Sequence, residues 1–157
     1  MIKINEEFIE ETSTKAKISK RRRMNYNFHK EDSATLQRML NAMEPDTYIQ
    51  PHKHEDPDKV EAFFALRGRI LVVEFDDEGN ISDHIILDPL NGNFGAEIAP
   101  RKWHSIISLE KNSVAYEVKD GPYNAKIDKN FASWAPMEGD PDASKYIQKI
   151  LEKLNVF

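Results

Sequence analysis

Residues 52–68 read His52-Lys-His54-Glu-Asp-Pro-Asp-Lys-Val-Glu61-Ala-Phe-Phe-Ala-Leu-Arg-Gly68. On an extended strand, side chains two residues apart point to the same face, so His52 and His54 can offer two imidazole nitrogens to one point. Glu61 opens the next strand-like run and can add an oxygen from a neighbouring strand. A third imidazole stands at His104, in Pro100-Arg-Lys-Trp-His104-Ser. Three imidazoles and a carboxylate converging on a point make a site for one divalent transition metal, and Fe, Zn, Mn and Ni all suit such a donor set. An isolated His-x-His pair arises by chance on many surfaces. Here three of the chain's five histidines fall into the arrangement, which leaves His29 and His84 as ordinary half-exposed strand residues.

Outward from this stretch, the pattern is largely β. Met24 to His29 alternates strictly, with Asn25, Asn27 and His29 sharing a polar face that solvent exposure explains. Thr47 to His54 continues as a strand, which puts Tyr48 and Gln50 on the parity of the two histidines. Val60 to Leu66, Arg69 to Phe75, Ile81 to Leu87, Phe94 to Ala99, His104 to Leu109 and Ser113 to Lys119 complete a set of about eight short strands. Gly68, Asp76–Asn80 and Asp88–Asn93 supply the turns between them. Such a succession predicts a closed sandwich or barrel.

The flanks differ. Asn5 to Lys17 reads as a helix capped by Asn5, with Glu6 and Glu7 in its first turn and Ile4, Phe8 and Ile9 as the docking stripe. Lys20 to Arg23 is a dense basic run without interleaved aromatics, read as a solvated link rather than a phosphate contact. Ser33 to Met43 carries Leu36, Met39, Leu40 and Met43 at helical spacing and is read as a short helical turn running into the next strand. After Gly121 the alternation fails, and residues 124–142 are expected to wrap over the barrel with Phe131 and Trp134 as packing anchors. Asp142 then caps a final helix, Ala143 to Leu154. The expected organisation is one domain, residues 1–157, with a barrel over about 24–120, a helical extension over 1–20, and a wrap and helix over 121–157.

Composition narrows the function. Twenty-two basic and 27 acidic side chains give a formal charge of −5, which argues against general nucleic-acid binding and against attraction to an anionic membrane. There is no cysteine, so disulfides, thiolate ligands and a cysteine nucleophile are excluded. No apolar run approaches the roughly 20 residues that span a bilayer, and the expected location is the cytoplasm. Gly is scarce, and no phosphate-cradling loop follows a strand.

At its histidines the chain resembles the cupins, double-stranded β-helix (jelly-roll) barrels. His52, His54, Glu61 and Gly68 match the ligands and terminal glycine of the first cupin motif, and Gly95 to His104 resembles the second. Asp46 stands where the first motif has a glycine, and six residues separate His54 from Glu61 where three or four are usual. Glu55, Asp58 and Glu61 are therefore all candidates for the acidic ligand, with Glu61 favoured by its spacing to Gly68. More narrowly the chain is similar to the WbuC family, through Arg23-Met-Asn-Tyr-Asn-Phe-His, Gln37-Arg-Met-Leu-Asn-Ala-Met-Glu-Pro, Leu66-Arg-Gly-Arg, Trp103-His-Ser and Trp134-Ala-Pro-Met-Glu-Gly-Asp-Pro. That resemblance implies a metal-binding cupin tied to bacterial surface-polysaccharide (O-antigen, lipopolysaccharide) gene clusters, with no defined reaction; by analogy with cupins it is compatible with a homodimer.

Three functions compete. The first is a metal-dependent enzyme acting on a sugar or sugar derivative by isomerisation, epimerisation or elimination, with an iron-dependent oxygenase as a variant. Arg38, Tyr48 and Gln50 are its candidate substrate contacts, and Glu74 or Glu117 its candidate base. The second is a non-catalytic module that binds or senses a small carbohydrate. The third is a purely structural metal site, disfavoured because a closed barrel of this size does not need a metal to fold.

Overall fold

The computed structural model describes residues 1–156. Among them, ten strands form two five-stranded antiparallel sheets. In chain order the strands are β1 (Arg23–Asn27), β2 (Leu36–Met43), β3 (His52–Lys53), β4 (Glu61–Arg67), β5 (Ile70–Phe75), β6 (Ile81–Leu87), β7 (Gly95–Ile98), β8 (Trp103–Ser108), β9 (Ser113–Asp120) and β10 (Asn130–Phe131). The first sheet runs β1-β2-β9-β4-β7 and the second β10-β3-β8-β5-β6. The fold is the cupin jelly roll, with a short helix at either end of the chain.

The two sheets close on a core of Met43, Phe63, Ile70, Val72, Leu87, Ile98 and Ile106. Helix α1 (Glu6–Ile18) covers the outside of the first sheet, where Ile9 and Ala16 pack on Leu40, Ala42 and Val114. Asn5 caps it, its side chain accepting the Phe8 N–H at 3.1 Å. Helix α2 (Ala143–Lys153) covers the second sheet, burying Ile147 and Ile150 against Leu71, Val73, Phe75 and Ile107. Asp142 precedes α2 without a capping hydrogen bond and instead pairs with Lys145 at 3.1 Å. Gly68 turns β4 into β5 at φ +74°, and a Cβ there would collide with Ser113, so both conformation and space require glycine.

Several expectations need correction. Ser33 to Met43 holds no helical turn at its apolar positions; Leu36–Met43 is a full strand. Its helix-like spacing arises because β2 is covered on both faces: Met39 and Met43 point into the barrel, while Leu40 and Ala42 point to α1. Residues 47–51 are not laddered as a strand, and only His52–Lys53 pairs. The wrap after Gly121 is more than a cover, since β10 joins the second sheet with Phe131 opposite His52 and Asn130 opposite Lys53. Trp134 is the expected anchor, its ring 5.2 Å from Phe75 and 6.0 Å from Trp103, but Phe131 remains 57% exposed.

Candidate metal centre

His52 on β3 lies directly across from His104 on β8, and alternation turns both side chains into the barrel. His54 follows one pleat after His52. Glu61, the first residue of β4, approaches from the opposite sheet. The four side chains are buried, and one ligand atom from each lies within 4.8 Å of the others.

The other nitrogen of each imidazole explains what this cluster suits. His52 Nδ1 sits 3.0 Å from the Gln50 carbonyl oxygen, His104 Nδ1 2.9 Å from that of Lys102, and His54 Nδ1 against that of Asp128. A carbonyl oxygen only accepts, so each Nδ1 carries a proton and each ring turns its Nε2 inward. His104 Nε2 and His54 Nε2 then stand 2.8 and 3.3 Å from the same Glu61 oxygen, within hydrogen-bonding distance of the carboxylate. His52 Nε2 is buried with no hydrogen-bond partner. Nitrogen and oxygen ligand atoms converging this closely call for a metal cation, or protons, between them. Three imidazoles with oriented Nδ1–H groups and one carboxylate fit a divalent transition metal.

Electrostatics separate two neighbouring carboxyls. Burial would push Glu61 up, but its hydrogen bonds with His104 and His54 outweigh this and hold it well below the usual carboxylate range. Glu117 on β9 is raised well above that range, by burial first and then by the Glu61 charge beside it. Of the two, Glu117 is the carboxyl that burial and its neighbour push toward the protonated form, and it accepts a hydrogen bond from Asn41. Burial likewise holds the His52 imidazole well below its usual range, reinforced by Lys129 and His104. Behind His54, Asp128 bridges two buried lysines, accepting from Lys59 at 2.6 Å and Lys119 at 2.7 Å.

The cluster opens into a cavity of about 440 Å³ running toward β1. Asn25, Asn27, Asn41, Gln37 and Glu117 give it polar walls, and Phe63, Ile106 and Met43 an apolar floor. Asn25, Asn27 and His29 therefore face a pocket's mouth rather than plain solvent. The basic run is also put to use: Arg21 and Arg23 line the far end and grip Glu138 at 2.6 and 2.7 Å.

The candidate contacts divide. Glu117 lines the cavity; Arg38, Tyr48, Gln50 and Glu74 do not. Arg38 points away on the outer face of β2, toward the Phe28 carbonyl. The Tyr48 hydroxyl donates to the Pro136 carbonyl at 2.7 Å and the Gln50 amide to that of Ala132 at 3.1 Å. The parity running back from His52 breaks at Pro51, so Ile49 takes the inward place expected for Tyr48 and Gln50. Glu74 is in register with His104 but only partly buried. Of the acidic alternatives, Glu55 and Asp58 sit outside and bind Arg101 at 3.1 and 2.9 Å. Asn41, Asp128 and Lys129 were not marked by the sequence. Asn41 is hidden in the helix-like reading of β2, and the other two lie in the segment where alternation fails.

A family described only as a domain of unknown function, DUF6016, matches residues 4–87. The chain belongs to this family. The DUF6016 match includes His52, His54 and Glu61 and ends before His104. No curated protein matches the chain. Among solved structures, it is similar to KdgF from a Halomonas species, with a TM-score of 0.50 and 15% identity over 66% of this chain and 82% of that one. The capsular polysaccharide assembling protein CapF from Staphylococcus aureus aligns with a TM-score of 0.58 and 17% identity, over 73% of this chain but only 30% of CapF. L-ribose isomerase from Cellulomonas parahominis aligns with a TM-score of 0.54 and 15% identity, over 72% of this chain and 70% of that one. These neighbours share the cupin fold.

Proposed function

We propose that this DUF6016 chain is a metal-dependent enzyme that acts on a sugar or sugar derivative by isomerisation, epimerisation or elimination, in the cytoplasmic stages of bacterial surface-polysaccharide synthesis. The observation that carries the reading is the ligand cluster at the head of a polar cavity, with the buried Glu117 carboxyl, raised above the usual carboxylate range, beside it. A bound divalent metal would polarise a carbonyl or a pair of vicinal hydroxyls. The chain's own groups supply the rest. Glu117 is placed to give a proton to the substrate and take one back, with Asn41 orienting its carboxyl. Asn25, Asn27 and Gln37 offer the donors and acceptors that sugar hydroxyls need, while Phe63 and Ile106 can back the apolar face of a ring.

The neighbours support the substrate class. One is a sugar isomerase whose structure was solved with L-psicose, and another assembles capsular polysaccharide. The resemblance to WbuC supports the link to surface polysaccharide.

The test is elemental analysis of protein purified without a metal-affinity tag, with the His52→Ala and His104→Ala variants alongside. Near-stoichiometric metal in the parent, lost in both variants, followed by turnover of aldoses or ketoses by the loaded protein, is the expected result. A parent that takes up none of Fe, Zn, Mn or Ni would remove the metalloenzyme reading.

A further inference from the structure

We infer that the substrate of this site is an anionic sugar, whose carboxylate or phosphate group is held by the Lys129 ammonium. The inference rests on the cavity being the substrate site, as proposed above, and names the chemistry that it selects.

Lys129 immediately precedes β10, whose residues Asn130 and Phe131 lie opposite Lys53 and His52. Alternation puts Lys129 on the same face as Phe131, toward the histidines, and its side chain lines the cavity with His52, Glu61 and Glu117. The other cations on the cavity wall are committed. Lys119 is bound to Asp128 at 2.7 Å, and Arg21 and Arg23 share Glu138. Lys129 makes no hydrogen bond or ion pair among the described residues; Glu61, Glu117 and Asp128 act on it only through their fields. It is partly buried, and burial pulls its ammonium below the ordinary lysine range. An ammonium on the cavity wall with no carboxylate or carbonyl already bound to it is free to pair with an incoming anion, and such charge-assisted hydrogen bonds are the strong ones.

The surroundings favour an anion over a neutral ligand. The protein as a whole is acidic, at −5, yet its cavity is not. The side chains lining it set four cations, Arg21, Arg23, Lys119 and Lys129, against three carboxyls, Asp32, Glu61 and Glu117. Lys59 and Lys119 together exceed the single charge of Asp128 behind the wall, and Arg21 with Arg23 exceed that of Glu138 at the far end. A metal would add further positive charge. The field inside therefore draws anions into a protein that otherwise repels them.

The experiment is calorimetric titration of the full chain, both Co(II)-loaded and chelator-stripped, with D-glucose, D-glucuronate and D-glucose 6-phosphate, which differ only at C6. At least one anion should bind about tenfold or more tightly than glucose. Lys129→Met should abolish that preference without changing glucose affinity or metal content, and Lys129→Arg should retain it. The anion preferred tells carboxylate from phosphate. Equal affinity for all three, no measurable binding of either anion, or a preference that survives Lys129→Met overturns the inference. Failure of the parent to hold cobalt would count against the metal reading alone, because the stripped protein still reports on Lys129.

Discussion

Two acid-rich regions lie within a few residues of His54, and they occupy opposite sides of the wall. Glu55, Asp56 and Asp58 form a solvent-facing turn gathered around Arg101. Glu61, three residues on, is 2% exposed and meets His54 and His104 inside the barrel. The same side-chain chemistry thus builds a surface clamp in one place and part of the candidate metal centre in the other. Burial and the company of imidazoles make the difference. The long His54-to-Glu61 spacing then has a physical account: the additional residues build the clamped turn, and Glu61 still begins β4 in register with Lys119 and Ile98.

Substitutions can break or sharpen this contrast. The largest effect is expected from Glu61→Gln, which removes the only ionised carboxylate from the cluster. Metal retention, followed by chelator competition, should fall by well over about 100-fold, whereas Glu55→Gln and Asp58→Asn should leave it unchanged. Asp128→Asn comes next, because it leaves Lys59 and Lys119 buried without a carboxylate. A loss of about 3–5 kcal/mol in denaturant unfolding is expected, with weaker metal retention because the residue-128 backbone carbonyl that orients His54 is no longer anchored by the two lysines. Glu117→Gln is gentler, since glutamine imitates a carboxyl that is already protonated. Stability should stay within about 1 kcal/mol and metal content should hold; a large gain in stability would mean that Glu117 is ionised beside Glu61. Smallest is Arg101→Ala, which releases an exposed clamp. It should barely move the melting temperature, and that little should vanish in high salt.

Much of the β framework is legible in the sequence because one face of most strands is buried and the other is not, as in β4, where Glu61, Phe63 and Ala65 point inward and Phe64 and Leu66 stay exposed. The histidine pair is legible for the same reason, since spacing alone sets parity. Parity is lost wherever the ladder breaks, so extending it back through Pro51 assigned Tyr48 and Gln50 to the wrong side. It is also lost where both faces are covered, and β2 therefore imitates a helix. The contribution of Asp128 and Lys129 lay beyond any local pattern. Their placement depends on β10 meeting β3, a pairing of two residues with two, separated by most of the barrel.

That short pairing has a consequence for the order in which the chain assembles. His54 and the carbonyl that orients it are 74 residues apart, and His104 is 43 residues from the carboxylate it faces. Contacts of such long range close late, after the local hairpins β5–β6 and β1–β2 have formed. During synthesis, His52, His54 and Glu61 leave the ribosome well before His104 and Asp128, so a nascent chain first displays three of the four cluster residues without the carbonyl that orients His54. A metal that needs all four ligands would find the full set only in the finished barrel.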